Sequence, residues 1–315
     1  ARSDGNQYLS QLMGDSRLLQ STIDEIIFAQ ISRKLFFREL GARYVWAVCP
    51  GKERMLSHLL PDELAQRVDK TQAPIERIRA RISDLCLLSS FFDCFVDLGL
   101  AFDEGIEKET LFHKTDTHWT HTGAHYAYQY LIKFINDNRI GTPKSGKRII
   151  SAFQQGDLAR IIGLPPEPIT HFSNPDYKHT RIYFNGIDNN GKIEVIDGTN
   201  KSAPTAIIFR SSSMDFMKEF VLDHFSRILM IFRPDIDYEL IVSERPNFVF
   251  HIQQERYLPR IPEDNRSVLL KKSITEKSRD VDALGSMKRY VEEGGYFLNA
   301  LQAERTLDIL LSVGD

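Results

Sequence analysis

Five short apolar runs, rich in β-branched and aromatic residues, limit what this chain can fold into: ARYVWAV from residue 42, CFVDLG from 94, TAIIF from 205, RILMIF from 227 and NFVFHI from 247. None shows the regular apolar–polar alternation of a half-exposed strand, so each suits a strand covered on both faces. Helical periodicity fills the intervals. Ile23, Ile26, Ile27, Ile31 and Leu35 mark a helix over 18–40, closed by Gly41. Residues 61–92, starting at Pro61-Asp62, and residues 119–136 are expected to be helical, as is SMDFMKEFVLDHF; YELIVSE suits a helix or a short strand. Such alternation predicts an α/β protein, a three-layer α/β/α sandwich around a mostly parallel sheet. RIYFNGIDNNGKIEVIDG breaks the pattern and predicts a hairpin turning at Asn190-Gly191. One domain over 1–265 is expected, with a hairpin insertion at about 170–200. Beyond Pro262 the strands stop, and the charged, helix-prone segment 266–315 is expected to be a helical extension with a break at Gly294-Gly295.

The bulk numbers exclude some classes. With 42% apolar and 26% charged residues and a net charge of −3, the chain offers no electrostatic case for nucleic acid. No run of about 18 apolar residues is present to span a bilayer. ARSDGNQYLS lacks a signal pattern, so a trimmed or mature product is expected and its cellular address is not written in these residues. Cys49, Cys86 and Cys94 have apolar neighbours and irregular spacing, which suits buried free thiols rather than a zinc ribbon.

Chemistry in such sheets belongs at the carboxyl ends of strands. At TAIIF-RSSSMDF a strand runs into Ser211, Ser212 and Ser213 and then a helix. A serine there is either a helix cap or a nucleophile whose oxyanion the helix N-terminus favours. A serine nucleophile needs a base, and the base needs a partner to fix its tautomer. TDTHW, residues 115–119, supplies both types, and an extended backbone would place Asp116 and His118 on one side. His121 and His125, four apart on the following helix, raise a metal alternative, but the Glu of a zincin is missing and no metal is expected. MGDSR at 13–17 looks like a nucleophile motif, yet it precedes a long helix, so Asp15 or Ser16 is expected to cap that helix.

Several of these segments together resemble one family. KTDTHWTHTGA is similar, almost letter for letter, to the KTDTHWTPxGA segment of the SGNH hydrolase-like domain of alginate O-acetyltransferases of the AlgJ/AlgX type. CPGKERMLSHLLPDEL, with Lys52, resembles its P-D-K turn, GDLARIIGLP a following G-D-L segment, IIFRSSSMDF its strand–GDSF–helix, and QQERYL, with Glu255 and Arg256, its closing ER-x-L. The order and spacing agree over roughly residues 40–260.

The resemblance implies a circularly permuted SGNH fold and an O-acyltransferase that O-acetylates a saccharide hydroxyl, with esterase activity as the water-accepting variant. It assigns Ser212 as nucleophile, His118 as base and Asp116 as its orienter. Ser211 and Ser213 are alternatives if the turn is shifted. The family's Gly-Asp-Ser stands here as Arg210-Ser211-Ser212, so a catalytically degenerate carbohydrate-binding or assembly module is the alternative. Trp119, Arg210 and Arg256 are expected to contact substrate, with Trp119 either stacking on a sugar ring or packing under the loop. Lys52 and Arg256 are also expected to pair with carboxylates near the site. The implied partners are a hydroxyl acceptor, such as a carbohydrate, and an acyl donor supplied by a membrane-bound carrier. No cofactor is implied. The family acts outside the cytoplasm, so a periplasmic or other extracytoplasmic location is expected.

Overall fold

The computed structural model describes residues 8–85, 93–102, 107, 110–143, 147–173, 179–185 and 187–264. The expected extension at 266–315 and Cys86 lie outside them. In chain order the elements are α1 (Tyr8–Leu12), α2 (Gln20–Glu39), β1 (Arg43–Cys49), α3 (Lys52–Met55), α4 (Asp62–Ala65), α5 (Pro74–Asp84), β2 (Phe95–Asp97) and α6 (His121–Ile135). Then follow β3 (Lys147–Gln154), α7 (Asp157–Ile162), β4 (Glu167–Ser173), β5 (His179–Phe184), β6 (Ile193–Gly198), β7 (Thr205–Arg210), α8 (Met214–Leu222), β8 (Arg227–Ile231), α9 (Tyr238–Glu244) and β9 (Phe248–Gln254).

The main sheet has seven strands in the order β2-β1-β9-β7-β8-β6-β5. The five apolar runs form its parallel part. Period-two alternation splits their side chains between two cores. Val45 and Ala47 of β1, Ile208 of β7 and Phe250 of β9 pack with α6 and α8 on one face. Tyr44, Trp46, Ile207 and Val249 pack with α2, α5 and α9 on the other. This is the three-layer α/β/α arrangement that the alternation predicts.

Differences from the sequence reading have local causes. The hairpin joins the main sheet: β5 and β6 pair antiparallel, and β6 joins β8 to make the sheet's antiparallel edge. Its turn uses Asn189 at φ 59° and Gly191 at φ 97°. Within 61–85 the expected single helix is broken. Asp69 accepts a bond from Thr71 N, closing a 3₁₀ turn, and Pro74 then opens α5. Asp15 and Ser16 do not sit at the cap of α2, which begins at Gln20 with Leu19 in the cap position, while Asp15 pairs with Arg67. Cys49 and Cys94 are buried free thiols, and burial pushes Cys94 up to about 12.

Candidate active site

The segment before α6 is a string of bends that bridges to itself at Phe112–Trp119. Asp116 and His118 do not meet on an extended strand. Asp116 Oδ1 accepts the His118 N–H at 2.9 Å, closing an Asx-type turn that swings the imidazole over its own carboxylate. His118 Nδ1 then lies 2.6 Å from the same oxygen, and Nε2 lies 2.6 Å from Ser212 Oγ on the turn after β7. A carboxylate only accepts, so Nδ1 carries the proton and Nε2 is left to accept from the serine hydroxyl. Burial would raise the Asp116 carboxyl, but bonds from the His118 ring and from the N–H groups of Asp157 and His118 outweigh it and hold the group well below the carboxylate range.

A scaffold of charged side chains fixes this loop. Asp157, at the start of α7, accepts from Thr117 N at 2.8 Å and from its hydroxyl at 2.5 Å, while its own N–H donates to Asp116 Oδ2 at 3.0 Å. Glu167, opening β4, accepts from Lys114 N at 2.9 Å and Thr115 N at 2.8 Å. Among the described residues, Lys52 forms no ion pair with a carboxylate, which differs from expectation. Its ammonium donates to the carbonyls of His113, of Lys114 at 3.3 Å and of Asp116 at 2.9 Å. On the other strand end, Glu255 is fully buried and accepts from Gly51 N and Arg54 Nε, both at 2.9 Å, which joins the turn after β1 to the end of β9.

Of the three serines, only Ser212 reaches the histidine. Ser213 Oγ accepts from Gln254 Nε2, Ser211 is buried, and none caps α8 through its side chain. Trp119 is 2% exposed, and its Nε1 donates to Ser213 O at 2.9 Å. It therefore ties the His118 segment to the Ser212 turn by packing beneath the loop. The Arg210 guanidinium is also buried, 3.0 Å from Asp215, 3.6 Å from Glu194 and over the Phe232 ring. Among the described residues, no contact brings it to His118 or Ser212. Arg256 lies over Tyr257, likewise apart from the dyad.

Phe216, which the sequence reading missed, stacks on His118 with centroids 5.5 Å apart and planes at 28°; His113 and His121 flank the same ring. His125 packs against Phe220 and Tyr128, so the helical pair is built into an aromatic layer. Asp116, His118 and Asp157 do place ligand-type atoms within 4.8 Å of one another. Their oxygens already accept N–H and O–H donors, which makes the group a hydrogen-bond clamp. Beside it lies a groove of about 450 Å³, with Leu56, Leu60, Phe112 and Leu158 along its walls and Thr117 at its rim.

The same segments decide the family. The profile of the SGNH hydrolase-like domain, acetyltransferase AlgX, matches residues 17–183, more than half of the chain. The chain belongs to this family. Among solved structures, Bacillus cereus PatB1 with a sulfonyl adduct is 15% identical at a TM-score of 0.59, over 78% of this chain and 96% of that one. A DHHW family protein from Eubacterium siraeum is 15% identical at a TM-score of 0.55, over 77% and 88%. The O-acetyltransferase domain of Pseudomonas putida AlgJ is 18% identical at a TM-score of 0.48, over 84% and 91%. At these identities the likeness concerns the fold. No curated protein matches the sequence. Among the described residues, no helix is long and apolar enough to cross a membrane.

Proposed function

We propose that the protein is a serine-dependent O-acyltransferase that moves an acetyl group to a saccharide hydroxyl. The observation that carries the reading is the unbroken chain Asp116–His118–Ser212, with 2.6 Å at each link. Ser212 Oγ attacks the acyl carbonyl while His118 Nε2 takes its proton. The oxyanion forms toward the N-terminal end of α8, where the helix dipole favours it. Collapse breaks the bond to the donor's leaving group, which departs with the proton from Nε2 and leaves acyl-Ser212. An acceptor hydroxyl then gives its proton to Nε2 and attacks the ester, and Ser212 recovers the proton as the acylated product leaves. Asp116 stays ionised throughout and holds the imidazole. Such proton transfer is worth ~10²–10⁴-fold in rate. Water in place of the acceptor gives the esterase reaction.

Arg210 at the position of the family's glycine favours a second reading, a binding module that has kept the fold without turnover. Purified protein given p-nitrophenyl acetate separates the two. Release of nitrophenol with an acetyl mass on Ser212, both lost in Ser212→Ala, is expected. Equal nitrophenol release by wild type and Ser212→Ala refutes the catalytic reading.

A further inference from the structure

The imidazole of His118 is engaged on both nitrogen edges, Nδ1 by Asp116 and Nε2 by Ser212, each at 2.6 Å. Those bonds lie near the ring plane and leave its faces to other groups. Phe216 takes one of the faces: the centroids are 5.5 Å apart and the planes meet at 28°, an offset stack. Phe216 stands in the first turn of α8, so the helix that follows the Ser212 turn also carries this ring. Two more imidazoles close around it. His113, from the segment before α6, lies 5.5 Å away at 53°, and His121, which opens α6, lies 5.2 Å away at 64°. His113 is buried, and burial pushes it below the ordinary histidine range, so it forms a neutral wall at neutral pH. Phe216 is partly buried and packs against the apolar core beneath α6 and α8, which fixes the ring in place.

We propose that Phe216 is a positioning residue for His118, and that its ring face stabilises the imidazolium formed while Ser212 is acylated. A cation within about 6 Å of an aromatic centroid is attracted by the negative face of the ring. When Ser212 Oγ attacks the acyl carbonyl, its proton passes to Nε2 and the imidazole becomes cationic. When the leaving group departs with that proton, the imidazole is neutral again. The attraction is therefore strong in the transition state and weak in the ground state, which is what raises a rate rather than merely tightening binding. Asp116 meets the same charge in the plane of the imidazole, and Phe216 meets it across the face. The other titratable groups around this loop are His113 in the same segment, His121 of α6, Asp157 of α7, Glu167 of β4 and Lys52 of α3. None of them changes when the Phe216 ring alone is altered. The inference rests on Ser212 and His118 as the reacting pair, but the charge–ring attraction is measurable without turnover.

The test replaces Phe216 alone, by site-specific incorporation, with mono-, di- and trifluorophenylalanine, whose ring fluorines drain the negative face with little change of size. Acetyl-Ser212 formation from p-nitrophenyl acetate is followed by intact mass, and the His118 Cε1–H resonance is titrated with pH by NMR. The acylation rate is expected to fall with each added fluorine, by about tenfold at three. The pH at which His118 takes up its proton is expected to move down in the same order, because the protonated ring loses its partner. Phe216→Leu, which fills the space without a π face, is expected to lose as much as the trifluorinated ring, with folding of every variant checked by thermal unfolding. A role in packing alone predicts no dependence on fluorine. Equal acylation rates across the series, or a His118 titration that does not move, overturns the proposal. If the wild type forms no acetyl-Ser212, the acyl-transfer reading fails, and the NMR titration still decides whether Phe216 holds the charged ring.

Discussion

Gly156→Ala should disable the site without touching a reacting group. Gly156 caps α7 at φ −65° and ψ 165°, a conformation open to alanine, so backbone strain plays no part. The obstacle is space. A Cβ there would meet Thr115 O at 2.2 Å, Thr115 C at 2.5 Å and Asp116 Cβ at 2.9 Å. Apolar contacts settle near 3.5–4.0 Å, so the loop or the helix end must retreat by about 1 Å. Thr115 O cannot yield freely, because it accepts from Leu158 N at 3.1 Å and Ala159 N at 3.0 Å. The retreat strains these bonds and the one from Asp157 N to Asp116 Oδ2. Overpacking of this kind costs about 1–3 kcal/mol of stability, and a 1 Å displacement of a catalytic group costs ~10²-fold in rate. The assay is the rate of acetyl-Ser212 formation from p-nitrophenyl acetate, followed by intact mass, alongside chemical denaturation. Gly163→Ala is the control: Gly163 ends the same helix at φ +72° with nothing within 4 Å of a built Cβ, so strain lowers stability there but leaves the loop in place. A Gly156→Ala protein that acylates as fast as wild type refutes the argument that this close approach sets the position of Asp116.

Two further outcomes follow from the geometry. Asp116→Asn keeps the shape but offers an amide where the carboxylate accepted three N–H groups; the imidazole loses its tautomer anchor, and acylation of Ser212 falls by ~10³–10⁴-fold with little loss of stability. Burial raises the Glu255 carboxyl from 4.5 to about 6, against the pull of Arg54 and the Gly51 N–H. The folded state therefore binds the extra proton in that window, and stability falls as pH rises through it. The difference in unfolding free energy between wild type and Glu255→Gln should drop by about 2 kcal/mol in all as pH rises from well below 4.5 to well above 6. A difference that rises over that interval contradicts the assigned direction.

The sheet was legible because its parallel strands are buried on both faces, and double burial leaves a continuous apolar run. Thus β1 and β9 stand out from sequence as blocks. Asp116, His118 and Ser212 were legible through the family resemblance of their segments, because pattern alone left a helix cap and a structural Asp-x-His as alternatives. The direction of a side chain was not. Trp119 and Arg210 each have a polar tip and a broad body, and sequence spacing does not say whether that body lies under the loop or over a ligand. The hairpin carried a clear turn signal, yet nothing in it said that β6 would pair with β8. The scaffold was hidden for another reason. Glu167, Asp157 and Arg54 act through bonds to backbone groups or partners 40 to 201 residues away, which only the fold brings near. The adjacent Gly156-Asp157 pair was the one local hint, small residue beside capping acid, and it lay within a segment noted only for its family likeness.

The order of strands also sets when this site can exist. β1 and β7 never touch; β9 lies between them and pairs with both. Its residues anchor the two halves: Ile252 O holds Ser211 N, Gln254 holds Ser213, and Glu255 just beyond holds Gly51 and Arg54. β9 is also the last of the described strands in chain order, so a nascent chain ending before Phe248 has its Ser212 turn and its histidine loop on strands that no common neighbour joins. Assembly of the site thus waits for β9, and any shortening that removes β9 disconnects Ser212 from His118 while leaving both residues in the chain.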